Sequence, residues 1–505
     1  MTAPYLHAAI DLGASSARLF AGRLDGGSLV ASEVTRLPNG PVRLAGGWHW
    51  DILRIHQGML EGLAQLSRQV DGEPMWAGID GWGVDYGLLD ETGRLLGPPF
   101  HYRDERTSDY PRVADEVIGR ERIYEATGVQ EMNINTLYQL MAERTSAAYA
   151  AAAQLLLVPD LLAYFLTGQG RFERTNASTT QLVDVRTGEV VDWMARALGL
   201  RTELFAPSID PGEMLGPVLA DVAASVELRS PLSVVAVASH DTACAVLGVP
   251  ATVDDFAYVV SGTWSLVGFE LERPVIDEAS RQANFSNEVG VDGTIRFLRN
   301  VMGFWMLQEC ERTWAASGAP RDLGKLLAEA ANCPGFRSLI DTADPDFAQP
   351  GNMPSRVRAA CARAGEPVPG SDAALVRCIV DSMALAIAET LETAERCAQR
   401  HASVVHVVGG GSANDLFLAL IAAATGLEVV AGPVEASAIG NLLIQLRTAG
   451  LVGERKEMRA LVASSFPIKR VLPDPDLCQQ ARWARRRLDE AAAAAGPGRI
   501  GQASS

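Results

Sequence analysis

The chain begins with the stretch Ala8-Ala9-Ile10-Asp11-Leu12-Gly13-Ala14-Ser15-Ser16-Ala17-Arg18-Leu19-Phe20-Ala21. Its pattern predicts an apolar strand, a tight glycine turn and a second strand. A similar unit recurs about half a chain later, over residues 256–269, and aligning Gly13 with Gly262 also aligns a serine three residues further on. The recurrence indicates a duplicated domain. Coincidence is the alternative, since glycine and serine turns between apolar strands are common.

Size and composition indicate a large folded protein with an acidic surface. The chain has 505 residues, 48% of them hydrophobic, and its 44 basic and 61 acidic side chains give a net charge of −17. At about 150 residues per domain, this length corresponds to about two to four domains. An acidic surface is unsuited to a phosphate backbone, so we expect no nucleic-acid partner. None of the lysines, Lys325, Lys456 and Lys469, lies in a P-loop or a protein-kinase lysine motif.

The sequence also predicts a cytoplasmic protein that is not bound to a membrane. Asp11 interrupts the first apolar stretch, so we expect no signal peptide. The longest apolar region, 147–166, contains a proline and polar residues and is too broken to span a bilayer. Seven cysteines without a C-x-x-C pair fit a reducing compartment, although Cys361 and Cys378 flank a Gly/Pro-rich stretch and could meet. No pattern indicates an oligomeric state.

Further along, hydrophobic patterns of helical and strand type follow one another, and Leu53 is one of the apolar residues that indicate the first helix. The predicted helices are 51–70, 155–166, 375–398 and 414–425, and the predicted strands are 76–80, 86–89, 234–238, 404–408 and 427–431. The order strand, glycine turn, helix and strand over 404–431 is that of a βαβ unit.

The first glycine turn carries groups that suit a triphosphate. Successive backbone N–H groups in such a turn form an anion-binding concavity. Ser15 and Ser16 add hydroxyl donors, Arg18 adds a positive charge, and Asp11 at the strand end could hold Mg²⁺ through water. The alternative is an ordinary hairpin with a structural aspartate.

A second candidate follows the buried strand 234–238, in the segment Ser239-His240-Asp241-Thr242-Ala243. A carboxylate at a strand end in an open α/β sheet lies where ligands bind. Asp241 there could accept a proton from a substrate hydroxyl. The alternative is that Asp241 caps a helix that begins at Thr242.

Two other glycine-rich turns are weaker signals. In 81–87, glycines flank Trp82 with a spacing that does not match a dinucleotide fingerprint. They suggest a backbone closely approached by a ligand beside an aromatic wall, such as sugars use, and a core tryptophan in a turn is the alternative. The glycines of 409–411 precede a helix whose N-terminus favours anions. No histidine lies in an H-E-x-x-H metal motif.

Taken together, these segments resemble the FGGY family of carbohydrate kinases from about Ala8 to Val471. The segments that carry the resemblance are Asp11–Arg18, Trp82–Asp85, Tyr102–Thr107, Asn135–Leu140, Thr179–Leu182, Ala238–Ala243, Ser261–Leu266, Asn300–Gly303, Gly409–Gly411 and Ala431–Ser437. The Asn135–Leu140 and Ala431–Ser437 blocks are closest to members that phosphorylate L-rhamnulose.

The resemblance implies an α/β fold of two duplicated domains of the actin/hexokinase/RNase H-like ATPase type. Residues 1–243 would form the N-terminal kinase domain and residues 244–472 the C-terminal one. Residues 473–505 would form a C-terminal helix and a mobile tail. ATP would bind between the domains, with the sugar deeper in the cleft.

The resemblance also implies roles for individual residues. Asp241 would be the general base, and Asp11 would help to place Mg²⁺. The ATP-binding residues would be Ala14, Ser15, Ser16, Ala17, Arg18, Thr263, Asn300, Gln308, Gly410 and Gly411. The sugar-binding residues would be Trp82, Gly83, His240, Asp241 and Thr242. The reaction would convert ATP and L-rhamnulose to ADP and L-rhamnulose 1-phosphate, with ATP and Mg²⁺ as cofactors.

Two residues depart from the family pattern. Ala17 stands where a glycine is usual in the first turn, and an alanine fits there if its φ is negative. Gly81 stands where a threonine precedes the tryptophan in the family pattern. A glycine there could loosen a contact with the sugar, which leaves the identity of the ketose open. Kinases of L-fuculose or D-xylulose are therefore alternatives. A more distant alternative is an actin-like ATP-binding protein without kinase activity, because a fold does not fix a function.

Overall fold

The computed structural model describes residues 6–70 and 72–494, with side chains as far as residue 490. The end of the expected mobile tail, residues 495–505, lies outside the described residues. The strands are β1 (Leu6–Leu12), β2 (Ser16–Asp25), β3 (Ser28–Pro38), β4 (Pro41–Leu44), β5 (Gly47–Trp50), β6 (Met75–Gly81), β7 (Tyr86–Leu89), β8 (Gln154–Leu157), β9 (Phe172–Glu173), β10 (Ser208–Ile209), β11 (Met214–Pro217), β12 (Leu232–Val235), β13 (Phe256–Ser261), β14 (Trp264–Leu271), β15 (Ser286–Val289), β16 (Ile295–Met302), β17 (Val404–Val408), β18 (Glu428–Ala431) and β19 (Lys469–Val471).

The helices connect and cover these strands. They are α1 (Ile52–Ser67), α2 (Tyr110–Val117), α3 (Arg120–Thr127), α4 (Thr136–Glu143), α5 (Ala147–Ala151), α6 (Val158–Thr167), α7 (Arg174–Ala177), α8 (Asp192–Ala197), α9 (Ala220–Ser225), α10 (Asp241–Leu247), α11 (Glu278–Gln282), α12 (Trp305–Ala316), α13 (Leu323–Ala331), α14 (Met353–Arg363), α15 (Asp372–Ala398), α16 (Asp415–Thr425), α17 (Ala436–Thr448), α18 (Arg455–Ser465) and α19 (Pro475–Ala494). Within the described residues, none of the helices is both long and apolar enough to cross a membrane.

The chain divides into two compact units. Unit 1 takes the described residues of Met1–Thr252 together with Glu270–Leu298 and Glu435–Phe466. Unit 2 takes Val253–Phe269, Arg299–Val434 and the described residues of Pro467–Ser505. Residues 244–252 and two later segments thus belong to unit 1 although they follow residue 243. The linear domain boundaries at residues 243 and 472 stay a prediction.

Unit 1 is built on a six-stranded mixed sheet with the order β11-β12-β6-β1-β2-β3. β1 pairs antiparallel with β2 and parallel with β6, so its buried residues lie at the centre of the sheet. Helix α17 packs on β1 and β6 and crosses α10 closely. Gly440 permits this crossing, because a Cβ on it would overlap the backbone of Cys244. The crossing brings α10 and the preceding turn up to the end of the central strands.

Unit 2 repeats this arrangement. Its strands belong to a seven-stranded sheet with the order β15-β16-β14-β13-β17-β18-β19. As in unit 1, a central strand, β13, pairs antiparallel with the next strand of its hairpin and parallel with a later one, β17. The following strand is again parallel and the edge strand again antiparallel. The prediction of a duplicated α/β domain is therefore confirmed.

Some sequence predictions need correction. Residues 154–157, assigned in part to a helix, form β8 and pair with β7, and α6 begins only at Val158, with Pro159 in its first turn. A proline is favoured there because the N–H it lacks would have no partner within the helix. Strand β12 ends at Val235, three residues before the predicted end. Leu53 was expected on the apolar face of α1 but is 68% exposed.

The sulfurs of Cys361 and Cys378 lie 3.7 Å apart in the core of unit 2. The two side chains meet, as the sequence suggested they could, and both thiols are free.

Candidate active site

The turn between β1 and β2 presents the first group of expected ATP-binding residues. The Gly13 amide donates to the Ser16 carbonyl at 3.0 Å, which closes the turn. Asn39 supports it from β3's end, donating to the Gly13 carbonyl at 2.9 Å. Ser15 is exposed at the tip, while Ala17 lies within β2 with extended backbone, paired with Leu12. The alanine at position 17 thus needs no positive φ.

Asp11 lies at the end of β1, where it is buried beside other charged side chains. Arg18, its partner across the hairpin, places Nη2 2.5 Å from Asp11 Oδ2 and also forms an ion pair with Glu435. Burial raises the pKa of Asp11 to about 6 against the opposing effect of Arg18, and the charges of Asp241 and Glu435 raise it further. Excess negative charge at this strand end is suited to a cation.

The donor set also limits how a metal could bind. Among the described residues there is no group of three or more histidine, cysteine or acidic side chains arranged for a metal ion. Mg²⁺ commonly binds through one or two carboxylates, with water and substrate phosphates completing its octahedron. The residues present therefore fit Mg²⁺ held by Asp11 as part of a nucleotide complex, and not a metal site built from protein ligands alone.

Asp80 was not singled out from the sequence. It is the parallel neighbour of Asp11 on β6 and is fully buried. Asn441 of α17 donates to its Oδ2 at 2.6 Å, and Gln445 donates in turn to the Asn441 side chain at 2.7 Å. Burial raises the pKa of Asp80, and the nearby Asp11 charge raises it further. Only the packing of α17 against β6, more than 350 residues apart, brings this set together.

Asp241 begins α10, and its side chain remains partly accessible. His240 occupies the N-cap position without a side-chain capping bond. Asp241 Oδ1 accepts from the Thr242 hydroxyl at 3.1 Å, and its side chain is 28% exposed. The structure thus gives no support to the alternative that Asp241 serves as the helix cap. A carboxylate in this setting can accept a proton from a hydroxyl next to it.

A buried glutamate fixes the turn before Asp241. Glu173 Oε2 accepts from the Ser239 amide at 2.8 Å and from its hydroxyl at 3.0 Å. It also accepts from Thr175 and Asn176 at the start of α7. Burial raises the pKa of Glu173, and these hydrogen bonds oppose the rise. No local pattern in the sequence indicates this role, because Glu173 and Ser239 are 66 residues apart.

His240 faces two further side chains that the sequence did not indicate. Its Nδ1 lies 3.0 Å from Arg296 Nη2 and 3.3 Å from Glu288 Oε2, and its Nε2 lies 3.6 Å from Asp241 Oδ1. Arg296 and Glu288 are directly opposite each other on β16 and β15. The imidazole thus stands between a buried ion pair and the candidate base.

Trp82 belongs to a buried aromatic stack. Its ring lies 4.0 Å from that of Trp50, which lies 4.1 Å from His101. Asp85 accepts from the indoles of Trp50 and Trp82 at 2.6 and 3.1 Å and from Gln139 at 2.7 Å. Burial nevertheless raises the pKa of Asp85 to about 7.

The close approach at Gly83 comes from the protein itself. A Cβ on Gly83 would lie 2.8 Å from the Thr179 hydroxyl. Packing alone therefore accounts for the glycine at this position, whatever the sugar contacts.

In unit 2, three turns come together around the β13–β14 hairpin. Phe304 and Trp305 donate to the carbonyls of Gly262 and Thr263 at 3.0 and 3.3 Å. A Cβ on Gly411 would lie 2.5 Å from the Ser261 hydroxyl oxygen, so the 409–411 turn packs on the same hairpin. The turns that contain Thr263 and Gly411 thus belong to one packed group around this hairpin.

Gly410 and Gln308 complete this second group. A Cβ on Gly410 would meet nothing within 4 Å, so its backbone is open to approach. Gln308, in the first turn of α12, has a buried Oε1 without a hydrogen-bond partner among the described residues. Asn300 lies half-buried on β16, just before the Gly303 turn.

Two family matches define the class of protein. Residues 6–248 match the N-terminal domain of the FGGY family of carbohydrate kinases, and residues 257–449 match its C-terminal domain. The chain belongs to the FGGY family of carbohydrate kinases and is an enzyme that phosphorylates a sugar, as the sequence predicted.

Individual proteins that this chain resembles have names more specific than that of the family. A rhamnulokinase of Bacteroides thetaiotaomicron is 41% identical over 468 residues, covering 92% of this chain and 95% of that one. A rhamnulokinase of Enterococcus faecalis is 39% identical over 462 residues, covering 91% and 92%. The crystal structure of a gluconate kinase from Lactobacillus acidophilus has a TM-score of 0.80 at 14% identity, covering 98% and 99% of the two chains. The last likeness is one of fold, and it confirms the predicted fold class.

Proposed function

We propose that this protein transfers the γ-phosphoryl group of ATP to the 1-hydroxyl of L-rhamnulose, giving ADP and L-rhamnulose 1-phosphate. The observation that carries the proposal is the identity of about 40% to rhamnulokinases over more than nine-tenths of this chain and of theirs. The proposed reaction is a step in the use of L-rhamnose as a carbon source. Its substrates, ATP and a free ketose, point to the cytoplasm.

Asp241 is the proposed general base. The 1-hydroxyl oxygen attacks the γ-phosphorus, the bond between that phosphorus and the β,γ-bridging oxygen breaks, and the hydroxyl proton passes to Asp241. Oδ1 accepts the Thr242 hydroxyl, and each carboxylate oxygen keeps a lone pair that can receive this proton. Partial exposure of the carboxylate in a site otherwise buried supports the role. Proton transfer of this kind contributes about 10²- to 10⁴-fold to a rate.

The nucleotide contacts are proposed in two groups. Residues 14–18 of the first hairpin and Thr263 of the second would bind phosphates through backbone N–H and hydroxyl groups. Asn300, Gln308, Gly410 and Gly411 would bind the remainder of ATP. Mg²⁺, when bound with ATP near Asp11, supplies neutralisation of the phosphate charge that builds up during transfer.

On the sugar side, His240 and Thr242 are proposed to contact hydroxyls beside Asp241. Trp82 and Gly83 are proposed to shape the neighbouring wall through the stack on Trp50. The proposed partners are therefore small molecules, ATP and a ketose. Nucleic acid is not among them, given the net charge of −17.

A ketose panel tests the function directly. Purified enzyme with ATP and Mg²⁺ is supplied with L-rhamnulose, L-fuculose or D-xylulose, ADP release is followed by a coupled assay, and the product is identified by ³¹P NMR. We expect kcat/KM for L-rhamnulose to exceed the others by at least about tenfold, because one unpaired hydroxyl contact costs about 1–3 kcal/mol. Preference for L-fuculose or D-xylulose would reject the substrate and keep the kinase. ATP binding without turnover of any sugar would favour the non-enzymatic alternative.

A further inference from the structure

We propose that Glu288 and Arg296 are positioning residues for His240: they hold its imidazole with Nδ1 as acceptor, so that Nε2 presents a hydrogen to a hydroxyl of the ketose. The inference rests on the proposed function, in which His240 contacts the sugar. It adds two specificity-determining residues that no motif in the sequence indicated.

The two residues form a rigid support. Glu288 and Arg296 are cross-strand partners in the β15–β16 hairpin, and Arg296 Nη2 lies 3.1 Å from Glu288 Oε2. The Arg296 side chain is fully buried, and the Glu288 side chain is 4% exposed. Nε and Nη2 of Arg296 also donate to the Val289 carbonyl, each at 3.3 Å. Because both side chains are buried, neither can contact a ligand directly. Each can affect ligand binding only through the residues that it contacts.

The contact with Arg296 determines which ring nitrogen carries the hydrogen. A guanidinium has five N–H donors and accepts no hydrogen bond. Arg296 Nη2 lies 3.0 Å from His240 Nδ1 in hydrogen-bond geometry. Glu288 Oε2 is 3.3 Å from the same nitrogen but has no hydrogen-bond partner among the described residues, so Nδ1 is assigned as the acceptor and the ring hydrogen is assigned to Nε2. Nε2 is 3.6 Å from Asp241 Oδ1, beyond hydrogen-bond distance, so its hydrogen is available to a hydroxyl beside the base.

Glu288 compensates the buried charge of Arg296. Burial alone would raise the pKa of Glu288, yet the Arg296 charge holds it below its ordinary value. An ionised Glu288 keeps the guanidinium in place at a position without solvent. Without it, Arg296 would be a buried cation with no counter-charge, and the ring would lose a fixed neighbour.

The kinetic test is a double-mutant cycle. Glu288→Gln should raise KM for L-rhamnulose by about tenfold or more, as expected for one misplaced hydrogen bond, while KM for ATP changes less than about twofold. In a His240→Gln background, adding Glu288→Gln should change KM for the ketose less than about twofold, because the ring it positions is gone. Fully multiplicative effects, or equal changes in both KM values, would overturn the proposal.

A matched control separates positioning from general loss of a buried ion pair. Glu270, also in unit 1, pairs with Arg459 at 2.8 Å, and both side chains are 9% exposed. Glu270→Gln should lower Tm to an extent comparable with Glu288→Gln and leave KM for the ketose unchanged. If Glu270→Gln raised this KM as much as Glu288→Gln, the effect would belong to stability and the proposal would be wrong.

A spectroscopic measurement decides the proposal independently of the substrate. The ¹⁵N chemical shifts of the imidazoles, with the His240 signals assigned by their loss in His240→Gln, should report a hydrogen on Nε2 in the wild type and a changed tautomer balance in Arg296→Met. A hydrogen on Nδ1 in the wild type would reject the positioning role even if L-rhamnulose is turned over. The expected shifts in an enzyme that ignores L-rhamnulose would support the positioning role and reject only the ketose.

Discussion

Arg18 and Asp11, expected to bind groups of opposite charge, form an ion pair of 2.5 Å across the first hairpin. The arginine was expected to bind phosphate, and the aspartate to help hold Mg²⁺. In the structure each neutralises the other, with Glu435 as a second partner of the arginine. On binding of MgATP, Asp11 would contact the magnesium ion and Arg18 would contact a phosphate. In the absence of the nucleotide, the ion pair lowers the free-energy cost of keeping two charges at a buried strand end.

Asp11→Asn tests this exchange. Loss of the carboxylate removes the charge that attracts the cation, so we expect the Mg²⁺ concentration for half-maximal rate to rise by about tenfold or more, the effect of roughly 1.4 kcal/mol or more. Initial rates over a Mg²⁺ series at saturating ATP measure it. Asp25→Asn, which removes an exposed carboxylate at the far end of β2, is the control. Equal Mg²⁺ dependence in both variants would make Asp11 a structural partner of Arg18 only.

The role proposed for Asp241 predicts a kcat effect without a nucleotide effect. Asp241→Asn should lower kcat by about 10²- to 10⁴-fold, because the amide cannot take the hydroxyl proton. KM for ATP should change little, and Tm should stay close to that of the wild type, since the side chain is partly exposed and is not the helix cap. Steady-state kinetics and thermal melts measure these quantities. A well-folded variant with near-normal kcat would contradict the assignment.

Gly410→Val tests the second nucleotide group. No atom lies within 4 Å of a Cβ at this position, so the fold should accept valine while the side chain obstructs the approach of a ligand to the backbone. We expect KM for ATP to rise and KM for the ketose to change little. Gly370→Val, at an equally open position in unit 2, serves as the control. If the two variants have the same KM for ATP, the 409–411 turn lies outside the site.

The pKa of Asp85 predicts a pH effect on stability. Its folded-state pKa of about 7 lies above the ordinary value of 3.8, because burial outweighs the hydrogen bonds from Trp50, Gln139 and Trp82. From about pH 4 to pH 7 the unfolded chain gives up this proton while the folded protein keeps it, so stability falls as pH rises through this window, by about 1.4 kcal/mol per pH unit.

Asp85→Asn removes this contribution, although the amide is a poorer acceptor for the surrounding donors. The Tm of the wild type minus that of the variant should therefore be smaller at pH 8 than at pH 5. Thermal melts at both pH values measure the difference, and the subtraction removes the groups that the two proteins share. A difference independent of pH would mean that Asp85 is ionised in the folded protein throughout.

The sequence predicted the parts of the fold that repeat or have a strong local pattern. The two hairpins, the long helix 375–398 and the strand 404–408 were each evident from apolar periodicity and glycine turns. Residues 155–157 were assigned to a helix because a short apolar run fits a buried strand equally well. The pairing of β8 with β7 decides in favour of a strand, and β7 lies nearly 70 residues earlier in the chain.

Site residues that lie in one contiguous motif could be predicted from the sequence. Site residues that the fold brings together from distant segments could not. Asp11 near the end of β1 and Asp241 at the start of α10 each lie in a recognisable local context. Asp80, Glu173 and Arg296 have no local signal, since their partners come from distant segments through the packing of helices and hairpins on the central sheet. Buried polar groups of this kind must find partners in the fold, so their roles appear only with the fold.

Gly81 is the position where structure changes the interpretation of the sequence most directly. The sequence suggested that a missing threonine hydroxyl there could weaken sugar selection. In the structure Gly81 is buried beside its parallel partner Leu12, and a Cβ would lie 2.8 Å from the Leu12 Cβ and 3.2 Å from its carbonyl oxygen. Neither atom is the end of a flexible side chain, so a larger residue would push β6 away from β1.

We therefore expect Gly81→Ala to act first on stability, lowering Tm by several degrees, as an overpacked core position costs about 1–3 kcal/mol. Gly40→Ala is the matched control, because a Cβ at Gly40 meets nothing within 4 Å and Tm should stay close to that of the wild type. The ratio of kcat/KM for L-rhamnulose to that for L-fuculose should be unchanged in both variants. A Gly81→Ala protein with wild-type Tm and an altered ratio would restore the view that this position selects the sugar.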